Sequence, residues 1–372
     1  MESPPRNVVL LGATGSIGEN TLAVIAAHPG RFRLLGAAAR SNAEALRGIA
    51  HRFEVPHTRL FRESGMGGLV ELAALPEADV IVVATTGIDG LRPMLAALEA
   101  GKVVALASKE ILVVGGEVVM AAVKARPGRL LPVDSEHNAL FQCLAGREAT
   151  PAVRRLLLTA SGGPFLHHTR REMEAVTLEE ALRHPNWAMG PKITIDSATM
   201  ANKGLEMIEA RWLFDVPPEA IDVVLHPQSL IHSLVEFVDG CLLAQLSPPS
   251  MTFALQHVLG YPERMEPTSE PLDLMKIHHL ELRPPDWGKF PCLRLAREAL
   301  RGGGALPALF NAANSVAVEA FLAKRIPFSG IARIIEETLA REVPALPGLD
   351  ELTPFEESLR KTAAQQLQNH LT

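Results

Sequence analysis

A chain of 372 residues is longer than one hydrophobic core ordinarily serves, so two or three domains are expected. Its residues are 47% hydrophobic and 21% charged, with a formal net charge of -6; this excludes a disordered chain and a basic nucleic-acid footprint. Cys143, Cys241 and Cys292 lie too far apart for a zinc motif or a disulfide framework, and charges such as Glu99, Lys102 and Lys109 break every apolar run before it could span a membrane. A reducing cytoplasm is the expected setting, and no apolar leader opens the sequence.

In chain order, Asn7–Leu11, Phe32–Ala38, Thr58–Phe61, Asp79–Ala84, Lys102–Ala105 and Leu130–Val133 read as strands, with alanine-rich helical segments between them. That alternation predicts an α/β domain built on a doubly wound parallel sheet. From Val153 the texture changes. Arg154–Thr159, Ile221–Leu225, Leu230–Phe237 and Cys241–Leu246 read as a second sheet interleaved with helices, and a proline-rich passage from Pro262 to Pro291 reads as a crossing linker. Only helical patterns follow, at Cys292–Leu300, Leu306–Ala323, Gly330–Arg341 and Thr353–His370. The expected domains are 1–150 for a dinucleotide, 151–265 for catalysis, a linker at 266–290, and a helical domain at 291–372.

Gly12-Ala-Thr-Gly15-Ser-Ile-Gly18 follows the first strand and opens a helix. Such a turn lets backbone N–H groups approach a pyrophosphate at the positive end of the helix. The second strand ends in Arg40-Ser41-Asn42, with no carboxylate for a ribose 2′-hydroxyl. A cation there suits a 2′-phosphate, so NADPH is expected over NADH, although Arg40 alone is also an ordinary surface residue.

The sixth strand runs into Asp134-Ser-Glu136-His-Asn138, at the strand end where open α/β sheets bind ligands. In extended backbone Asp134 and Glu136 point the same way, and paired carboxylates favour a proton or a hard cation between them. Oxygen-only ligands select Mg²⁺ or Mn²⁺ over zinc. Ser161-Gly-Gly163 follows a strand and forms a candidate anion nest. His184-Pro-Asn-Trp187-Ala-Met-Gly190-Pro191 is framed as a loop that either anchors a buried tryptophan or lays it over a substrate.

The densest polar stretch is Asp196-Ser-Ala-Thr-Met-Ala-Asn-Lys-Gly-Leu-Glu206, continuing to Glu209. Read as one helix, it puts Asn202, Lys203, Glu206 and Glu209 on a shared face and Ser197 at the start, where the helix dipole favours an anion. A solvated face with one Lys–Glu pair has the same spacing. Glu206 would add a third carboxylate to Asp134 and Glu136.

These segments, with Ser108-Lys-Glu110, His226-Pro-Gln-Ser229 and Asn311-Ala-Ala-Asn314, resemble the 1-deoxy-D-xylulose 5-phosphate reductoisomerases over nearly the full length. The resemblance implies a homodimer with a Rossmann-like NADPH domain, a catalytic domain and a C-terminal helical domain. It implies Asp134, Glu136 and Glu206 as ligands of Mg²⁺ or Mn²⁺, and Ser161, Ser197, Asn202 and Lys203 as the phosphate set. Ser135, His184 and Trp187 would also meet substrate, the last two from a flexible lid, with Lys203, Glu136 and His184 as the catalytic set. Thr14, Gly15, Ser16, Ile17, Arg40, Ser41, Asn42, Ser108, Lys109, Glu110 and Gly190 fall at cofactor positions. No nucleic-acid or membrane partner is implied.

Four places depart from the pattern: Ser108 for a usual Asn, Ile88-Asp89 for two small residues, Gln245–Ala254 for a Pro-Asp-Met-Arg segment, and Ser315 for a usual Glu. Two other readings remain at this stage. A semialdehyde dehydrogenase would need a reactive cysteine. A non-catalytic sensor of NADPH or a sugar phosphate would bind without turnover.

Overall fold

The structure is a computed structural model that describes residues 4–144, 152–187 and 189–371. The boundary expected at residues 150 and 151, and Ala188 of the expected lid, lie outside the described residues. The chain forms two compact units: residues up to 111 with 119–138 and 250–271, and residues 112–118 with 139–249 and 272 onward.

In chain order, the elements are β1 (Arg6–Leu11), α1 (Ser16–Ala27), β2 (Phe32–Ala39), α2 (Ala43–Phe53), β3 (His57–Leu60), α3 (Phe61–Ala73), β4 (Val80–Val83) and α4 (Leu91–Glu99). Next come β5 (Val103–Leu106), α5 (Glu110–Lys124), β6 (Arg129–Pro132), α6 (Ser135–Cys143), β7 (Val153–Ala160), α7 (Arg170–Met173), α8 (Leu178–Ala181), α9 (Pro191–Ala198) and α10 (Ala201–Phe214). The rest are β8 (Ile221–Leu225), β9 (Ile231–Phe237), β10 (Leu242–Leu246), α11 (Met251–Gly260), α12 (Pro291–Gly302), α13 (Leu306–Leu322), α14 (Phe328–Leu339) and α15 (Leu352–Leu371).

The first unit carries a six-stranded sheet in the order β3-β2-β1-β4-β5-β6, every pair parallel. Val8–Leu11 and Val80–Val83 are essentially inaccessible, as a parallel sheet covered on both faces requires. The connections reverse between β1 and β4, which opens a crevice beyond their carboxyl ends. The chain returns to this unit at α11, about 120 residues after β6 has ended. Arg6 donates Nη1 to the carbonyls of Leu259 (3.0 Å) and Tyr261 (2.8 Å), tying the end of α11 to β1. Ser250 caps α11 by accepting from the Thr252 N–H.

The second unit carries a four-stranded sheet in the order β10-β9-β7-β8, with β7 and β8 parallel and the other pairs antiparallel. Its core includes Phe165, Phe290 and Phe310, together with the apolar residues of α10, α12 and α13. The stretch from Asp196 to Glu209 is not one helix. Met200 takes a left-handed conformation (φ 62°), and the chain ends α9 and starts α10 around it. Thr199 braces the break, its Oγ1 accepting from the Ala201 N–H and donating to the Ile195 carbonyl.

Gly204 explains itself within this packing. A Cβ at that position would meet Ala296 Cβ at 2.3 Å, so α10 approaches α12 only because the side chain is absent. The close contact outweighs the roughly 1 kcal/mol that a mid-helix glycine costs.

Candidate functional site

In the first unit, the glycine turn leaves β1 and enters α1 with Gly15 as a cap that has no side-chain bond. Gly12 has φ 94°, and a Cβ there would meet the Ala84 carbonyl oxygen at 2.1 Å, so only glycine permits this approach of β1 to β4. A cavity of about 170 Å³ opens beside it, lined by Gly12, Thr14, Gly15, Arg40, Thr85 and Asp89 among others. Ser16 and Ile17 form the first turn of α1, with Ser16 exposed. Arg40 and Ser41 are exposed, and Asn42 caps α2 by accepting from the Ala45 N–H at 3.1 Å.

Ser108 is buried, and its hydroxyl donates to the Thr85 carbonyl at 2.7 Å, tying the end of β5 to that of β4. Lys109 is buried as well, and its ammonium pairs with Asp134. Glu110 opens α5. Just past β6, Ser135 donates to Glu136 Oε2 at 2.5 Å, while Asn138 donates Nδ2 to the Pro132 carbonyl at 3.1 Å. Two carboxylates, one lysine and one hydroxyl thus cluster at the carboxyl end of the sheet. A polar cluster at this depth needs compensating charge.

In the second unit, Ser161 ends β7 in a turn where Gly162 and Gly163 both have positive φ. Its Oγ accepts from the Gly163 N–H at 3.2 Å and lies 3.2 Å from His184 Nε2. His184 Nδ1 accepts from the backbone of Asn186 (3.1 Å) and Trp187 (3.0 Å). Asn186 in turn donates to the Pro227 carbonyl (2.7 Å) and to Ser229 Oγ (2.9 Å), which is the task of the His226–Ser229 turn. Burial pushes the His184 imidazole down to about 4, so it is neutral at neutral pH.

Asn202 and Lys203 occupy the first turn of α10, at the positive end of its dipole, and both donate to Glu206. Lys203 and Glu206 are buried, as is Glu209 one turn on. Ser197 is placed differently from the expectation. It lies in the last turn of α9, because the break at Met200 moves the helix start downstream; the anion-attracting helix end therefore belongs to Asn202 and Lys203. Gly190 caps the start of α9. Asp196 accepts from Lys192 (2.7 Å) and from Asn314 Nδ2 (2.8 Å), so the Asn311–Asn314 motif braces α9 from α13.

His232 joins the site without a signal of its own in the sequence. It is buried on β9, lies edge-on to Trp187 with ring centroids 6.5 Å apart, and is pushed down to about 4 by burial. Its position in an apolar strand looks like that of any core histidine. Cys143 offers no nucleophile: burial pushes its thiol up to about 11, so no thiolate forms at neutral pH.

Residues 8–64 and 57–116 match the family profile of 1-deoxy-D-xylulose 5-phosphate reductoisomerase. Residues 130–214 and 246–362 match the two C-terminal domain profiles of the same enzyme. The 1-deoxy-D-xylulose 5-phosphate reductoisomerase of Geobacillus kaustophilus is 50% identical over 372 residues, covering 95% of this chain and 97% of its own. That of Nitrosomonas europaea is 48% identical over 374 residues, covering 92% and 90%. A DOX-P reductoisomerase crystallised with NADPH, fosmidomycin and magnesium superposes with a TM-score of 0.91 at 40% identity, covering 98% of each chain. The enzyme from Zymomonas mobilis in complex with NADPH gives 0.88 at 42% identity, covering 97% of this chain and 98% of its own. With matches in both units and along nearly the whole length, the chain belongs to the 1-deoxy-D-xylulose 5-phosphate reductoisomerase family.

Proposed function

We propose that this protein converts 1-deoxy-D-xylulose 5-phosphate to 2-C-methyl-D-erythritol 4-phosphate, using NADPH and Mg²⁺ or Mn²⁺, in non-mevalonate isoprenoid synthesis. The observation that carries this reading is the cluster of Asn202 with the buried Lys203 and Glu206 at the positive end of α10, in a chain of this family.

The first unit fits NADPH on its own terms: an uncapped helix start, a glycine cradle that a Cβ would fill, and Arg40 beside the same cavity. NADPH supplies the hydride of the reductive step. Thr14, Gly15, Ser16 and Ile17 would hold the pyrophosphate, and Arg40 with Ser41 and Asn42 the 2′-phosphate. Ser108, Lys109, Glu110 and Gly190 complete the proposed cofactor set.

Asp134, Glu136 and Glu206 are the proposed metal ligands. Their donor set is all oxygen, and the ammonium groups of Lys109 and Lys203 already stand at Asp134 and Glu206, where a cation is wanted. A divalent ion there would act as Lewis acid on adjacent carbonyl and hydroxyl oxygens. Lys203 donates to Glu206 and so holds that carboxylate in place at the proposed metal site. Asn202, Lys203, Ser161 and Ser197 would bind the phosphate, whose binding energy fixes the orientation of the reacting carbons. His184 donates Nε2–H to Ser161, and with Trp187 it would close over the substrate and exclude water. Ser135 and Glu136 would face the hydroxyl end.

The domain roles follow the same reading: 1–150 for NADPH, 151–265 for catalysis, a linker at 266–290 and a helical domain at 291–372. We also propose a homodimer in the cytoplasm. The edge strand β10, with Leu242 and Leu243 about half exposed, supports a second copy as partner, and three free cysteines fit a reducing compartment. Among the described residues, no helix is long and apolar enough to cross a membrane.

The test is substrate-dependent NADPH oxidation in the presence of Mg²⁺ or Mn²⁺. Glu206→Gln should remove most turnover while NADPH binding stays within about twofold, since the uncharged amide is a poor ligand for a hard cation. A Glu206→Gln enzyme that turns over like the parent refutes the metal assignment. Binding without turnover in the parent itself would instead favour the sensor reading.

A further inference from the structure

Asp89, a departure from the pattern the resemblance implies, lines the cavity proposed for the cofactor. It lies in the turn between β4 and α4, and it lines the same cavity as Gly12, Thr14, Gly15 and Arg40. Its Oδ2 is 3.4 Å from Arg40 Nη1, with side-chain exposures of 38% and 66%. Arg40 ends β2, the place where a dinucleotide site reads the adenosine ribose. NAD sites put a carboxylate at that strand end to accept from the ribose 2′-hydroxyl. Here β2 brings the cation, and β4 brings a carboxylate to it from the facing wall.

We propose that Asp89 is a specificity-determining residue that narrows the preference for NADPH over NADH. The inference rests on the NADPH reading above and deepens it. Two effects act together. A 2′-phosphate that docks on Arg40 brings its negative charge toward Asp89, and like charges held close repel. The 2′-hydroxyl of NADH carries no charge and can donate to the same carboxylate, an interaction the 2′-phosphate cannot make. Arg40 favours the phosphate; Asp89 favours the hydroxyl. Because both side chains are well exposed, solvent screens the repulsion, and the effect is modest in size.

The experiment is calorimetric titration of NADPH and NADH into the parent protein and into Asp89→Asn, Asp89→Ala and Arg40→Ala, without sugar phosphate. Asp89→Asn keeps the shape of the side chain and removes its charge. The ratio of the NADH to the NADPH dissociation constant should rise roughly three- to tenfold in both Asp89 variants, with NADPH bound more tightly. Arg40→Ala should lower that ratio. An unchanged ratio overturns the proposal. Weaker NADPH binding in both Asp89 variants also overturns it, because Asp89 would then merely position Arg40. A parent protein that binds neither nucleotide refutes the NADPH reading and this inference with it, whereas binding with an unmoved ratio refutes the inference alone.

Discussion

The Ser161 hydroxyl faces His184 Nε2 at 3.2 Å, and the protein backbone decides which imidazole tautomer it meets. Two backbone N–H groups point at Nδ1, so the single proton of the neutral ring sits on Nε2 and is donated to Ser161. Ser161 thus accepts from both His184 and the Gly163 N–H, and its own proton is the group that can turn toward a phosphate oxygen.

This arrangement sets a pH dependence. Burial lowers His184, His232 and His257 from 6.5 to about 4. Each is neutral in the native state and protonated in the unfolded chain between those values, so the unfolded state binds more protons there. Stability rises with pH wherever that holds, so it is complete above 6.5 and is lost as pH falls toward 4. Urea midpoints measured from about pH 8 to about pH 4.5 should be flat at first and then decline below about pH 6.5. His232→Gln should make the decline shallower. A midpoint that stays constant to about pH 5 would contradict the buried, neutral histidines.

Helix propensity and packing disagree about Gly204, and the disagreement can be measured. Propensity alone predicts that Gly204→Ala stabilises α10 by about 1 kcal/mol. The new Cβ would instead lie 2.3 Å from Ala296 Cβ, with both backbones fixed in packed helices. Overpacking of this kind costs about 1–3 kcal/mol, so packing should win and Gly204→Ala should lower the thermal midpoint. Adding Ala296→Gly should restore much of the loss. A Gly204→Ala protein at least as stable as the parent would show that α10 and α12 can separate cheaply.

Much of this architecture is legible in the sequence because its signals are local. The apolar runs of β1 and β4, the glycine turn after β1 and the periodic patterns of α12 to α15 lie within a residue or two of their observed positions. The break at Met200 was not legible: nothing about methionine favours positive φ, and the conformation is held by Thr199 and the packing on either side. The return of α11 to the first unit depends on Arg6 reaching carbonyls more than 250 residues away, as local periodicity cannot reveal. The Lys109–Asp134 pair was hidden for the same reason. Lys109 read as a cofactor residue, yet its ammonium sits on a carboxylate from another strand end.

The cysteines separate the family's chemistry from that of a thiol-dependent dehydrogenase. Cys292 is fully buried and pushed up to about 12, and Cys143 to about 11, whereas Cys241 is exposed. The thiolate is the reacting species, so depth and a raised pKa both protect the first two. An exposed thiol raised by neighbouring Asp239 reacts slowly but is accessible. Iodoacetamide at mildly alkaline pH should therefore label Cys241 first in the native protein, and all three thiols in urea, as read by mass spectrometry. Native protein alkylated only at Cys241 should keep its NADPH oxidation with 1-deoxy-D-xylulose 5-phosphate, and Cys143→Ala should do the same. Loss of turnover in Cys143→Ala with an unchanged thermal midpoint would restore a nucleophilic cysteine to the mechanism and refute the carboxylate-centred site.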